Sequence, residues 1–108
     1  MSKAKRVNIE IEQGTTFSYD FPILNTDGTD FDVTGWSANG QLRKHYASNT
    51  AYTFTTSLSN GHLIFSLSSS NSALISFGLY VYDVKITNSG TVKRLIEGMA
   101  TVSPQVTT

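Results

Sequence analysis

The chain has 108 residues, a formal net charge of zero at pH 7 and no cysteine. A chain of this length builds one hydrophobic core, so we expect a single domain over residues 1–108 with flexible ends near 1–6 and 104–108. A protein with zero net charge lacks the long-range attraction by which proteins bind nucleic acid or an anionic membrane. The absence of cysteine excludes disulfides and thiolate chemistry. No apolar stretch approaches the length of a membrane span or the core of a secretory signal, so we expect a soluble protein.

The first half of the chain alternates apolar and polar residues with a period of two, which is typical of half-buried strands. Three strands are predicted there, over residues 7–13, 16–24 and 36–44. Pro22 cannot donate a ladder hydrogen bond, so that end of its strand is expected at a sheet edge or a bulge. We expect the side chain of Trp36 to be largely buried.

The second half contains two more short strands and a loop before its last hairpin. These strands are predicted over residues 52–56 and 62–68, on either side of a turn at Asn60 and Gly61. The serine-rich stretch 68–72 predicts a loop, with one helical turn near residues 72–75.

The clearest hairpin joins residues 79–86 to residues 92–102 through a turn at residues 88–90. A three-residue turn predicts these cross-strand pairs: Ile86 with Val92, Tyr82 with Ile96, and Tyr80 with Gly98. A two-residue turn shifts this register by one. The first strand of the hairpin belongs to a long uncharged run without proline, so we place it in the middle of a sheet, with both of its edges paired.

About seven strands separated by turn signals, with little room for helix, predict an all-β fold. The spacing favours an immunoglobulin-like β-sandwich of two sheets. A small closed β-barrel is the alternative, because the number of strands does not separate the two architectures.

The hairpin also carries a family resemblance. Residues 78–87 read G-x-Y-x-Y-D-V-x-I-T, and residues 92–107 read V-x-R-L-I-x-G-x-x-T-V-S-P-x-V-T. Further matching positions are Gly14, Phe17, Asp27, Gly28, Arg43 and the D-V-T-G-W of residues 32–36. This pattern resembles the small β-sandwich domains of tailed-phage virion proteins, including the amino-terminal domain of upper baseplate proteins that carry receptor-binding proteins. The resemblance implies a non-enzymatic structural protein of the virion, made in the host cytoplasm and placed in the tail, baseplate or neck.

Such a protein is expected to dock onto other virion proteins or onto itself, with neither nucleic acid nor a membrane as partner. Leu79, Val81, Leu95 and Met99 make up more apolar surface than one sandwich core buries, so they are the candidate assembly surface. Zero net charge removes the repulsion between copies, and phage particles are built on rotational symmetry. Together with the apolar surface, these features predict a discrete homo-oligomer such as a ring or a trimer. The alternative is that the second sheet or residues 1–6 cover them.

An acidic cluster surrounds Gly28 and presents the oxygen ligands that calcium prefers. Its members are Asn25, Asp27, Asp30 and Asp32. The spacing lacks the terminal glutamate of an EF-hand, and the later aspartates alternate with Phe31 and Val33. We therefore interpret the cluster as a tight turn followed by the solvated face of a strand, with no metal bound.

The remaining candidates for chemistry are few. His45 and His62 lack the further ligands that a zinc or copper site needs, and no serine lies in a Gly-x-Ser-x-Gly elbow. Asp83 interrupts an apolar strand without a second carboxylate in view, and we expect it to form an ion pair with a cation placed diagonally or on another strand. No catalytic residue, metal ligand or cofactor is predicted, so we expect the protein not to be an enzyme.

Three aromatic residues flank a loop rich in serine, asparagine and threonine. Tyr46, Tyr52 and Phe54 could stack against a sugar ring, which makes a carbohydrate-binding or adhesion module the alternative function. Tyr52 and Phe54 are equally explained as strand residues that face the core.

Overall fold

The computed structural model describes residues 4–25, 27–45 and 51–104. These residues form eight strands and one short helix. In chain order they are β1 (Lys5–Arg6), β2 (Ile9–Glu12), β3 (Phe17–Pro22), β4 (Ser37–Arg43), β5 (Ala51–Ser59), β6 (His62–Leu67), α1 (Ser69–Ser72), β7 (Gly78–Asn88) and β8 (Thr91–Ser103). Within the described ranges, no helix is long and apolar enough to cross a membrane.

The strands form two sheets that share β5. In sheet A, β8 pairs in parallel with β1 and β2 and antiparallel with β7, and β7 pairs with β4. In sheet B, β3 pairs with β6. The first part of β5, residues 51–54, pairs with β4 in sheet A, and residues 55–59 pair with β6 in sheet B.

Among the described strands, this path has open ends at β1 and β3, so these strands form stacked sheets and not a closed barrel. The fold is the predicted all-β, immunoglobulin-like sandwich. As predicted, β7 lies inside a sheet, between β4 and β8. The single helical turn begins after Ser68, whose hydroxyl accepts a hydrogen bond from the backbone N–H of Asn71. The turn starts at Ser69, three residues before the predicted position.

The core consists of the inward side chains of both sheets. Its centre is an aromatic group in which the ring centroids of Phe54, Phe65 and Tyr82 lie 5.1 to 6.2 Å apart. Trp36 is only half-buried and packs edge-on against Phe31, with ring centroids 5.5 Å apart. Trp36 precedes β4 and packs against the margin of the core, so the expectation of a largely buried tryptophan is met in part.

The register of the hairpin differs from the three-residue prediction. Asn88 pairs with Thr91, so the turn has two residues, Ser89 and Gly90, both with positive φ (49° and 88°). This is the backbone that matches the twist of a two-residue hairpin. The two-residue alternative therefore describes the turn.

A β-bulge shifts the register once more, next to Leu95. Lys85 pairs with Arg94, but Val84 pairs with Ile96, so Leu95 is an extra residue on β8. Leu95 and Ile96 are consecutive and are both buried, at 1% and 0% exposure. The bulge thus brings Leu95 to the core side of the sheet.

Beyond the bulge, Gly98 lies opposite Tyr82 and not opposite Tyr80. A Cβ atom on Gly98 would overlap the carbonyl oxygen of Val7, which passes directly over this position. The Tyr82 hydroxyl donates a hydrogen bond to the same oxygen, and the Val7 N–H donates to the Glu97 carbonyl at 2.8 Å. A glycine is therefore needed where the chain between β1 and β2 crosses β8.

The same crossing corrects the expected limits of the amino-terminal end. Lys5 and Arg6 were placed in a flexible end, but they form β1 and pair with Ile96 and Glu97. The rest of the ends predicted to be flexible comprises residues 1–4 and 104–108, of which 1–3 and 105–108 lie outside the described residues.

Candidate docking surface

The outer face of sheet A carries the side chains that point away from sheet B. We define it by the outward residues of β1, β2, β4, β7 and β8. They are Arg6, Glu10, Glu12, Ser37, Asn39, Gln41, Arg43, Leu79, Val81, Asp83, Lys85, Thr87, Val92, Arg94, Glu97, Met99, Thr101 and Ser103. No second sheet covers this face, because sheet B packs on the opposite side.

An apolar strip lies in the middle of the outer face. Val81 on β7 lies directly opposite Met99 on β8, and Leu79 lies two residues before Val81 on β7. Leu79 is 55% exposed and Met99 is 41% exposed, while Val81 is half-buried. We call Leu79, Val81 and Met99 the apolar strip.

Leu95, the fourth residue of the predicted assembly surface, does not belong to the strip. Strict alternation along β8 would place it on the same face as Met99, but the bulge turns it inward. A buried leucine cannot contact a partner while the domain is folded.

A network of ion pairs adjoins the strip. Arg94 Nε lies 3.2 Å from Asp83 Oδ2, and Arg94 Nη1 lies 3.5 Å from Glu97 Oε1. Arg6 Nη2 lies 3.7 Å from Glu97 Oε2. The Asp83–Arg94 pair runs diagonally across the two strands, as predicted.

Glu97 is the second carboxylate that sequence inspection did not find, and it lies directly opposite Asp83. In the predicted three-residue register Asp83 faces Leu95. The two-residue turn and the bulge each shift the pairing by one residue, and together they bring Glu97 opposite Asp83. Arg94 bridges both of them on an open face. Surface ion pairs of this kind contribute little to the stability of the fold. In this structure they place the three charged side chains next to one another.

The outer face also contains a shallow depression of about 330 Å³. It is lined by Gln41, Arg43, Val81, Asp83, Lys85 and Arg94. Cations of three strands therefore surround one carboxylate beside the apolar strip.

The acidic cluster contains the predicted tight turn, in which the Gly28 N–H donates to the Asn25 carbonyl at 3.0 Å, but Phe31 and Val33 belong to no strand. Asp27 Oδ1 accepts hydrogen bonds from the Thr29 N–H at 3.0 Å and from the Thr29 hydroxyl at 2.6 Å. Asp32 Oδ1 accepts from the Thr34 N–H at 3.0 Å. These bonds favour the charged form and hold the pKa of Asp27 and of Asp32 below the usual value.

The structure describes both histidines, His45 and His62. His62 Nδ1 lies 2.7 Å from Asp20 Oδ1, across the β3–β6 ladder, and His45 is exposed. The two partners are 42 residues apart, so spacing along the chain did not reveal the contact. Among the described residues, no group of three or more His, Asp or Glu side chains could hold a metal ion.

The predicted sugar-binding surface is not assembled as proposed. Phe54 is 3% exposed and belongs to the core, which confirms the core interpretation for this residue. Tyr52 is half-buried and packs edge-on against Tyr80, with ring centroids 6.3 Å apart. Tyr46 lies outside the described residues.

A second cleft opens between the free ends of the two sheets. It measures about 300 Å³, and Lys5, Tyr19, Phe21 and Leu95 contribute to its lining. In the part of the chain that the structure describes, β3 pairs with β6 alone, so its other edge faces this cleft.

No protein-family model and no curated protein matches the chain. Solved structures match it in fold. The crystal structure of Listeria monocytogenes InlP aligns with a TM-score of 0.53 and 16% identity, over 93% of this chain and 28% of InlP. The amino-terminal four Ig domains of Dscam1 isoform 6.9 align with a TM-score of 0.40 and 15% identity, over 94% of this chain and 23% of that one. This chain therefore spans less than a third of either protein, and the likeness to InlP supports the β-sandwich fold.

Proposed function

We propose that the chain is a non-enzymatic structural module of a tailed-phage virion, which docks through the outer face of sheet A onto other virion proteins or onto itself. The resemblance of residues 78–87 and 92–107 to virion β-sandwich domains suggests the particle. The observation that carries the docking role is the apolar strip, which no other part of the described structure covers.

The composition of the outer face supports this proposal. Protein interfaces combine an apolar centre with a polar rim, and the strip is bordered by charged residues on both sides. The face belongs to the interior strands of sheet A, so its backbone is held by ladders on both edges of β7 and β8. A rigid surface of this kind loses little conformational freedom on binding.

The arrangement of charged groups also favours binding over catalysis. Arg94, whose side chain is 50% exposed, forms ion pairs with both Asp83 and Glu97. A pair of carboxylates is tuned for catalysis by a like charge that no cation neutralises. Arg94 neutralises the Asp83–Glu97 pair, which therefore lacks that environment.

The proposal is tested by mass spectrometry of purified virions from the phage that encodes the chain. We expect the protein in the particle at a constant ratio to the other virion proteins. Phage carrying Met99→Glu should incorporate less of it, because a carboxylate in the strip opposes apolar contact. Phage carrying Val92→Glu is the matched control, since Val92 is 58% exposed on the same strand and lies outside the strip. Absence of the protein from purified virions would refute the virion role.

A further inference from the structure

Charge on the outer face changes sign along the strands. At one end, Glu10 lies beside Thr101 and Glu12 beside Ser103, and neither glutamate forms an ion pair with another described residue. We call these two residues the acidic end. The apolar strip comes next.

The opposite end of the outer face is basic. Arg6 lies beside Glu97, and Lys85 lies beside Arg94. The three cations exceed the two carboxylates, Asp83 and Glu97, that share this region. We call Arg6, Lys85 and Arg94 the basic end.

We propose that two copies of the chain pack outer face against outer face, about a two-fold axis that runs across the strands through the apolar strip. This inference rests on the outer face being the docking surface proposed above. The rotation reverses the strand direction of the second copy, so the strip packs against itself. Because β1 and β2 lie along the same edge of β8, Glu12 of the acidic end in one copy then faces Arg6 of the basic end in the second copy.

The charge order selects this axis over the other in-plane choice. An axis parallel to the strands would place each row of residues on the same row of the second copy. Asp83 would then face Glu97, and Lys85 would face Arg94. Such like-charge contacts oppose association, whereas the transverse axis brings opposite charges together. Because the contact is isologous, it closes at two copies and does not propagate into a ring.

The size of the face sets the expected strength. Ten residues of β8 between the two ends span about 30 Å, and four strands span about 19 Å. Each copy therefore contributes roughly 600 Å², or roughly 1,200 Å² in total, which is the lower limit for a stable interface. We expect a dissociation constant on the order of micromolar.

Sedimentation equilibrium across the micromolar range tests the proposal with a charge exchange. The wild-type protein should change from monomer to dimer with concentration. Glu12→Arg and Arg6→Glu should each weaken the dimer roughly ten-fold, because a two-fold contact counts each substitution twice. The double variant restores opposite charges and should recover most of the affinity.

Circular dichroism and melting temperature of each variant establish that it is folded. Val92→Glu, which changes charge on the same strand two residues from Arg94 but outside the apolar strip and outside the Glu12–Arg6 contact, should dimerise as the wild type does. A wild-type protein that remains monomeric, a larger species that grows with concentration, or a double variant no better than the weaker single variant would overturn the inference.

The outcomes also separate this inference from the virion proposal. A chain that enters virions in a strip-dependent manner but remains monomeric in solution refutes the two-fold dimer and leaves docking onto another protein. A chain that dimerises with charge-exchange rescue but is absent from virions supports the dimer and refutes the virion role.

Discussion

The bulge divides the β7–β8 hairpin into two stretches. In β8, exposed and buried residues alternate in both stretches, but the even-numbered and odd-numbered residues exchange faces at the bulge. Near the turn, the even-numbered residues Val92 and Arg94 of β8 are exposed. Beyond Leu95, the even-numbered residues are buried, and the odd-numbered Glu97 and Met99 point outward. One residue without a cross-strand partner therefore decides which side chains of β8 join the core and which lie on the outer face.

The largest expected effect comes from Gly98→Ala, in the stretch beyond the bulge. The added methyl group would overlap the Val7 carbonyl oxygen, and backbone lies on both sides of the contact. We expect a loss of roughly 3 kcal/mol or more in the free energy of unfolding, measured by urea denaturation. Gly90→Ala is the matched control in the turn, since nothing lies within 4 Å of that position. Its positive φ of 88° should cost only about 1 kcal/mol. Equal losses would contradict the close crossing of Val7 over β8.

Leu95→Ala tests the bulge itself. Leu95 is 1% exposed, so its truncation should cost roughly 2 to 5 kcal/mol in the free energy of unfolding. Met99→Ala, on the exposed side of the same strand, should cost about 0.5 kcal/mol or less. The two variants are compared by chemical denaturation. Similar small losses would show that Leu95 points outward and that β8 has no bulge.

The strands themselves were predictable from sequence, because alternation marks a half-buried strand wherever it occurs. The bulge was not predictable, because Leu95 and Ile96 are both apolar and either one fits the inward position of the alternating pattern. The structure distinguishes them, because Ile96 pairs with Val84 and Leu95 has no partner in the ladder. The predicted docking surface was correct in placing Leu79 and Met99 outside the core and wrong for Leu95 for this reason.

The position of the acidic end was equally hidden. Alternation predicts that Glu10 and Glu12 face solvent, but their place beside Thr101 and Ser103 depends on a parallel pairing of strands about 90 residues apart. Similarly, β5 has one continuous pattern, and its transfer from β4 to β6 after Phe54 follows from the stacking of the sheets. Long-range pairing, unlike local periodicity, leaves no signal at a fixed spacing.

Tyr82→Phe tests the hydrogen bond that joins the far stretch of the hairpin to the amino-terminal strand. Loss of the hydroxyl leaves the Val7 carbonyl oxygen without this donor, and we expect a cost of about 1 to 2 kcal/mol at pH 7. Burial raises the pKa of Tyr82 above its usual value, chiefly by desolvation. A raised folded-state pKa gives stability that is complete below the unfolded-state pKa of about 10 and is lost as the pH rises above it.

Urea denaturation between pH 9 and pH 11 measures this alkaline loss. The variant should lose less stability over the range than the wild type does. Some loss should remain, because burial also raises the pKa of Tyr80. Parallel stability profiles for the two proteins would show that Tyr82 does not ionise more easily in the unfolded chain.

The smallest effect on stability, and the most specific effect on assembly, is expected from Met99→Glu. Met99 is 41% exposed, so a carboxylate there remains solvated in the monomer, and the free energy of unfolding should change by about 0.5 kcal/mol or less. In the proposed dimer the same carboxylate is buried at the centre of the apolar strip. Light scattering should therefore detect monomer at concentrations where the wild type is dimeric. Val92→Glu places the same charge on the same strand, on the turn side of the bulge, and should leave the dimer intact. If both variants dissociate the dimer equally, the contact extends over the whole length of β8, and the bulge does not delimit the docking surface.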